Sequence, residues 1–142
     1  MKISYAITVC NEHKEIEKLL TFLFEHKRKE DQVVVQMDFD NSTTEVVKAC
    51  ERWESKSSSE YNLIQSSLDK NFAQYKNNLN KNCDGNWIFQ IDADEIPNEY
   101  LINALPFILE SNPDVEAYWL PRVNTVAGMT DGHVQKWGWK LN

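Results

Sequence analysis

Four short runs of β-branched and apolar residues alternate with longer segments of helical period, and this alternation restricts the fold more than any other feature of the chain. Ile3, Tyr5, Ile7 and Val9 alternate through the first run. Residues 33–37 form a short apolar run of the kind found in buried parallel strands. Residues 61–64 read as a third strand, and residues 87–91 form the clearest one. Between them, Ile16, Leu19, Leu20 and Leu23 predict a helix to about Lys29, and Lys27-Arg28-Lys29 reads as its solvated end. Val46, Val47, Cys50 and Trp53 mark a second helix, capped by Thr43 or Thr44. Phe72, Tyr75 and Leu79 mark a third over residues 71–81. Leu101, Leu105 and Ile108 mark a fourth that starts at Pro97, with Pro106 placed to kink or split it. Residues 117–120 are expected to form a fifth strand, and residues 122–142 are less regular. The order predicts an α/β layered fold with a mainly parallel sheet. Right-handed crossovers then bring the strand C-termini to one edge, where ligands of such sheets bind.

The 142 residues suit one domain, and 42% hydrophobic content supports a packed core. The net charge of −7 is spread over both halves, which leaves no basic surface for general nucleic-acid binding. Cys10, Cys50 and Cys83 are odd in number and form no CxxC pair. A disulfide framework and a cysteine zinc site are therefore not expected, and a reducing compartment fits. No apolar run approaches the ~20 residues of a spanning helix. A cytoplasmic chain without a transmembrane segment is expected, with peripheral contact at the inner membrane face left open.

Chemistry concentrates where the strands end. Asn11 and Glu12, Asp38 and Asp40, and Asp92 and Asp94 follow three of the runs, and a parallel sheet would gather them on one rim. Crowded carboxylates repel, and a divalent cation relieves that. Hard oxygen ligands suit Mn²⁺ or Mg²⁺, with phosphate oxygens completing the shell. Taken alone, Asp38 and Asp40 read as turn residues. Asp92-Ala93-Asp94 after so apolar a strand reads as functional. Haloacid-dehalogenase phosphatases share an Asp-x-Asp after a strand. Their motif lies near the N-terminus, though, with Thr or Gly after the second Asp, whereas Glu95 and Ile96 follow here. Nucleotide-sugar glycosyltransferases are the other class with this motif.

Four blocks in order resemble the family 2 glycosyltransferases, from Ile3 to about Trp139. Ile7-Thr8-Val9-Cys10-Asn11-Glu12 resembles a first-strand block ending Tyr-Asn-Glu. Met37-Asp38-Phe39-Asp40-Asn41-Ser42-Thr43 resembles Asp-Asp-Gly-Ser-Thr. Asn71-Phe72-Ala73-Gln74-Tyr75-Lys76-Asn77 resembles Asn-Phe-Gly-x-x-Arg-Asn. Gly85-Asn86-Trp87 through Asp92-Ala93-Asp94-Glu95 resembles Gly-Asp-Tyr, a strand and Asp-Ala-Asp.

The resemblance implies a GT-A fold, Rossmann-like and layered α/β/α. It also implies inverting transfer of a sugar from a nucleotide-sugar, commonly a UDP-sugar, to a saccharide or other hydroxyl acceptor. Through it, Asp40 matches the acid that meets the nucleobase edge, Asp92 the acid near the ribose, and Asp94 the ligand of Mn²⁺ or Mg²⁺. Lys76 stands where Arg is usual, and loses its bidentate fork. Cys10 stands where a Tyr would offer a stacking platform, and Glu12 should line the same pocket. Arg122, Trp137 and Trp139 resemble the acceptor side. The catalytic base has no clear match; Glu95, His13 and His133 are weak candidates. The expected organisation is one nucleotide-sugar-binding domain over residues 1–142, with a donor half over 1–96 and the start of the acceptor side over 97–142. The C-terminal part of a full transferase is expected to be missing. A catalytically incomplete binding domain is the alternative reading, with a dehalogenase-type phosphatase behind it.

Overall fold

The computed structural model describes residues 1–56 and 59–123. Strands and helices alternate as β1 (Ile3–Val9), α1 (His13–His26), β2 (Gln32–Asp38), α2 (Thr44–Lys56), β3 (Tyr61–Ser66), α3 (Phe72–Lys81), β4 (Trp87–Asp92) and α4 (Glu99–Ser111). All eight lie in one compact unit, Met1–Ser111. The described part of a second unit, residues 112–123, holds no helix or strand. The fifth strand expected over 117–120 is therefore absent. A strand exists by pairing its backbone with a neighbour, and the described sheet consists of β1 to β4 alone.

The sheet order is β3-β2-β1-β4, and every pairing is parallel. The period of two divides it into unlike faces. Ile3, Tyr5, Ile7, Val9, Val33, Val35, Met37 and Ile91 join one large core with the apolar stripes of α1, α2 and α4. The opposite face is mostly polar: Ser4 and Thr8 on β1, Gln32, Gln36 and Asp38 on β2, and Gln90 and Asp92 on β4. There α3 adds a small core of Ala6, Val34 and Leu79. The topology explains this division. The crossovers from β1 to β2 and from β2 to β3 run the same way, whereas β4 returns to the far side of β1. Right-handedness then places α3 on the face opposite α1 and α2. The strand order reverses between β1 and β4, and this is where an open α/β sheet leaves a crevice.

Several helix ends and faces differ from the sequence expectation. α1 stops at His26, and Lys27-Arg28-Lys29 is not a solvated helix end. The Lys27 side chain is 2% exposed, with Nζ 2.5 Å from Glu60 and 3.0 Å from the Asp31 carbonyl. Arg28 holds the buried Asp31 carboxylate through Nε at 3.0 Å and a second nitrogen at 2.8 Å. Asp31 in turn accepts the Ile3 amide at 2.9 Å. A buried acid needs such partners, so Lys27 and Arg28 are structural, while Lys29 is exposed. In α3, Tyr75 and Leu79 are buried but Phe72 is 68% exposed. Phe72 opens the first turn of α3 and is not among the residues packed on either core. α4 begins at Glu99 rather than Pro97, with Asn98 accepting the Tyr100 amide at 2.7 Å. Its buried face is Ile102, Leu105 and Leu109, and Pro106 lies inside the helix without splitting it.

Gly85 lies where the chain enters β4, against the start of β1. A Cβ built on it would stand 2.7 Å from both the amide nitrogen and the Oγ of Ser4. Gly85 also donates its amide to that Oγ at 2.9 Å. Gly85→Ala is expected to lower unfolding free energy by about 1–3 kcal/mol, the usual cost of overpacking, as measured by urea denaturation. An unchanged midpoint would show that the β1–β4 junction yields.

Candidate functional site

The C-terminal edge of the sheet collects the polar residues that follow β1, β2 and β4, and each is fixed by its own local partner. After β1, the Glu12 carboxylate accepts the amides of Cys10 at 2.9 Å and Asn11 at 3.1 Å, which locks the turn into α1. The Cys10 carbonyl accepts the Thr43 amide at 3.3 Å, tying this turn to the start of α2. Thr43 also caps α2 through its hydroxyl, 3.4 Å from the Val46 amide.

After β2, Asp38 is buried and organises the turn. Its carboxylate accepts the Asp40 amide at 3.1 Å and Nδ2 of Asn41 at 2.9 Å. This leaves Phe39 68% exposed and Asp40 exposed beside it. Ser67, just beyond β3, donates its hydroxyl to the Asp40 carboxylate.

Across the β1–β4 reversal, three side chains meet. Thr8 Oγ1 donates to Asp92 Oδ1 at 3.1 Å. Lys76 Nζ reaches the same Oδ1 at 3.1 Å and Thr8 Oγ1 at 3.4 Å. Lys76 comes from α3, whose first turn is capped by Asn71 accepting the Gln74 amide at 3.0 Å. The backbone after β4 turns tightly: the Glu95 amide donates to the Asp92 carbonyl at 2.9 Å, and the Glu95 carboxylate accepts the Asp92 amide at 2.9 Å. Asp94 stands between them, exposed, with no hydrogen-bonding or ionic partner among the described residues.

The acids that follow β1, β2 and β4 lie at one edge of the sheet, and most are engaged within their own turn. No group of three or more His, Cys, Asp or Glu is gathered to hold a metal ion among the described residues. Strand spacing is the reason, because β1 separates the residues after β2 from those after β4. Glu12, Asp38, Asp40, Asp92 and Glu95 each hold a donor of their own. Asp94 is left as an open hard-oxygen donor beside them. That donor set fits a divalent ion taking one or two protein oxygens, with phosphate and water filling the rest.

Two titratable groups at this edge are perturbed. The Cys10 thiol is pushed up by burial, then by the charges of Asp38 and Glu12. The Tyr75 hydroxyl is pushed up to about 12, by burial first and then by Asp38. Both stay protonated near neutrality. Cys10 is thus a small protonated residue, neither a nucleophile nor an aromatic platform.

Of the residues singled out from sequence, Lys76 and Asp92 meet directly. Cys10 and Glu12 share the β1 turn, and Asp40 and Asp94 stand on the turns after β2 and β4. Arg122 lies in the second unit, and Trp137, Trp139 and His133 lie outside the described residues. Thr8, Ser67, Gln36 and Asn78 were not singled out. Thr8 and Gln36 carried a usable signal, because each is a polar residue on the alternate face of an otherwise apolar strand.

The model of glycosyl transferase family 2 matches residues 4–136. No curated protein sequence matches the chain at a significant level. Among solved structures, S. aureus TarS 1–349 in complex with UDP is similar with a TM-score of 0.69 and 21% identity, over 86% of this chain and 38% of that one. The mannosyltransferase PcManGT from Pyrobaculum calidifontis, in complex with GDP-Man and Mn²⁺, is similar with a TM-score of 0.63 and 23% identity, over 75% of this chain and 32% of that one. The chain thus spans less than two-fifths of the length of these structures. The fold is the layered GT-A fold.

Alkylation provides a check on the geometry around Cys10. At pH 8, Cys10 is expected to alkylate several-fold more slowly than free cysteine, because the thiolate is the nucleophile. Asp38→Asn removes a nearby negative charge and should bring the rate–pH profile back toward that of free cysteine. Peptide mapping by mass spectrometry reads Cys10 apart from Cys50 and Cys83. A profile indifferent to Asp38 would place that carboxylate too far from the thiol.

Proposed function

The chain belongs to glycosyl transferase family 2, and from that premise we propose that it binds a nucleotide-sugar at the C-terminal edge of the sheet, where the strand order reverses between β1 and β4, and transfers the sugar to an acceptor hydroxyl. The observation that carries the reading is the meeting of Lys76, Asp92 and Thr8 across this reversal, with Asp94 open beside it. Lys76 brings the cation that a diphosphate requires, and Asp92 and Thr8 bring acceptor and donor groups suited to a ribose hydroxyl. Asp40, braced by Ser67, offers a carboxylate to the N–H edge of a nucleobase. Phe39, exposed next to it, supplies the aromatic face that Cys10 does not, and such stacking contributes ~1–3 kcal/mol per base.

Asp94 would hold a divalent ion, Mn²⁺ or Mg²⁺. When bound, that ion neutralises charge on the departing diphosphate. The binding of UDP by TarS and of GDP-Man with Mn²⁺ by PcManGT supports a nucleoside-diphosphate donor. UDP is the first candidate here. The residues named here would position the donor rather than react with it, and none of them is assigned as the acceptor's base. The dehalogenase alternative is not favoured, since the family match runs through every block and Glu95 is folded back onto the Asp92 amide.

Calorimetric titration with UDP, with and without Mn²⁺, tests the reading. Asp94→Ala is expected to remove the metal dependence and weaken metal-assisted binding by about a hundredfold, on the scale of one lost ion–phosphate contact. Asp40→Ala is expected to weaken UDP binding about equally with and without metal. Binding indifferent to Mn²⁺ and to Asp94 would refute the metal assignment.

A further inference from the structure

The position of Lys76 governs the proposed donor site, yet α3 has little apolar surface to fix it. Of its ten residues, Tyr75 and Leu79 are buried, above a core of Ala6, Val34 and Leu79. Ile64 and Cys83 pack against that core, and the directed contacts of the helix with the sheet are hydrogen bonds. Gln36, on β2, is fully buried and stands directly beneath the helix. Its Nε2 donates to the Tyr75 carbonyl at 2.9 Å, and its Oε1 accepts from Nδ2 of Asn78 at 2.8 Å. The Tyr75 hydroxyl donates back to the Gln36 carbonyl at 3.4 Å.

Tyr75 and Asn78 lie three residues apart, on one side of the helix, and Lys76 lies between them in sequence. Apolar contacts are non-directional and tolerate a helix that rolls or slides. Two directed bonds from one rigidly held amide do not. They set both the roll of α3 and its height above the sheet at the turn that carries Lys76. A side chain other than an amide cannot replace Gln36, because donor and acceptor must be presented together to a carbonyl and an amide nitrogen.

We infer that Gln36 is a positioning residue for the nucleotide ligand: through Tyr75 and Asn78 it holds Lys76 over Thr8 and Asp92, where the diphosphate of the donor binds. The inference rests on the donor-site reading above and adds a residue from the buried sheet to it. Gln36 touches no ligand. Its effect on binding therefore runs through Lys76, and a purely structural role would not show that dependence.

A double-mutant cycle tests this, with UDP and Mn²⁺ as the calorimetric probe, followed by GDP and Mn²⁺. Gln36→Leu removes both bonds at similar volume. Asn78→Ala removes one of them from a partly exposed position and keeps the cycle readable if Gln36→Leu unfolds. Each is expected to weaken binding by about fivefold to tenfold in the unsubstituted background, the scale of one or two directed hydrogen bonds. In a Lys76→Met background both are expected to add less than about twofold, since residues acting through one group are not additive. Equal losses in both backgrounds would overturn the inference and leave Gln36 a structural residue. Nucleotide binding untouched by either substitution would overturn it while leaving the donor-site reading intact. Binding of neither UDP nor GDP by the unsubstituted chain would overturn the donor-site reading, and this inference with it.

Discussion

The reversal of strand order between β1 and β4 is the constraint on which the rest of this molecule depends. Two crossovers in one direction stack α1 and α2 on one face, and the return of β4 sends α3 to the other. One face then holds nearly all the apolar material, from Ile3 to Leu109. The other is free to carry polar side chains on the inner positions of the strands. Thr8, Gln36, Asp38 and Asp92 are all on that second face, and all point toward or support the edge where the strands end. The division of labour follows from handedness and the period of two.

Charge at this edge is settled locally. Each fixed carboxylate is matched to a donor within its own turn or from the nearest element: Glu12 to the β1 turn, Asp38 to the turn after β2, Asp40 to Ser67, Asp92 to Lys76 and Thr8. A rim with so many acids would otherwise destabilise itself by like-charge repulsion. An open carboxylate at Asp94 stands out among them, since nothing in its turn requires it.

Sequence reasoning reached the architecture because its signals are local. The alternation in Ile3–Val9 and the spacing of Ile16, Leu19, Leu20 and Leu23 follow directly from strand and helix geometry, and those residues are buried as read. Four ordered blocks placed the residues that follow β1, β2 and β4. The failures came from non-local effects. Lys27-Arg28-Lys29 reads as a helix end until Glu60 and Asp31 are seen to enclose Lys27 and Arg28. Phe72 has the right period for burial but stays exposed in the first turn of α3. Residues 117–120 have strand composition, but composition cannot supply a partner. Gln36 stands out as an amide inside Val33-Val34-Val35-Gln36-Met37, but its partners appear only with α3 above it.

In the proposed donor site, the Lys76–Asp92 pair would let the edge be ordered and still yield to a ligand. Its side chains are 31% and 50% exposed, respectively, and an ion pair so placed contributes only about 0–1 kcal/mol in water. Transferring Lys76 from one carboxylate oxygen to the oxygens of a diphosphate therefore costs little, while the doubly charged group offers more. The expensive part of such a site is bringing the lysine there at all, since a long flexible side chain loses rotamer entropy when held. Asp92 and Thr8 meet that cost in the unliganded protein, and the amide of Gln36 holds the helix from which the side chain projects. On the proposed reading, Lys76 is held by contacts that are individually weak, so a diphosphate could displace them without disturbing the scaffold.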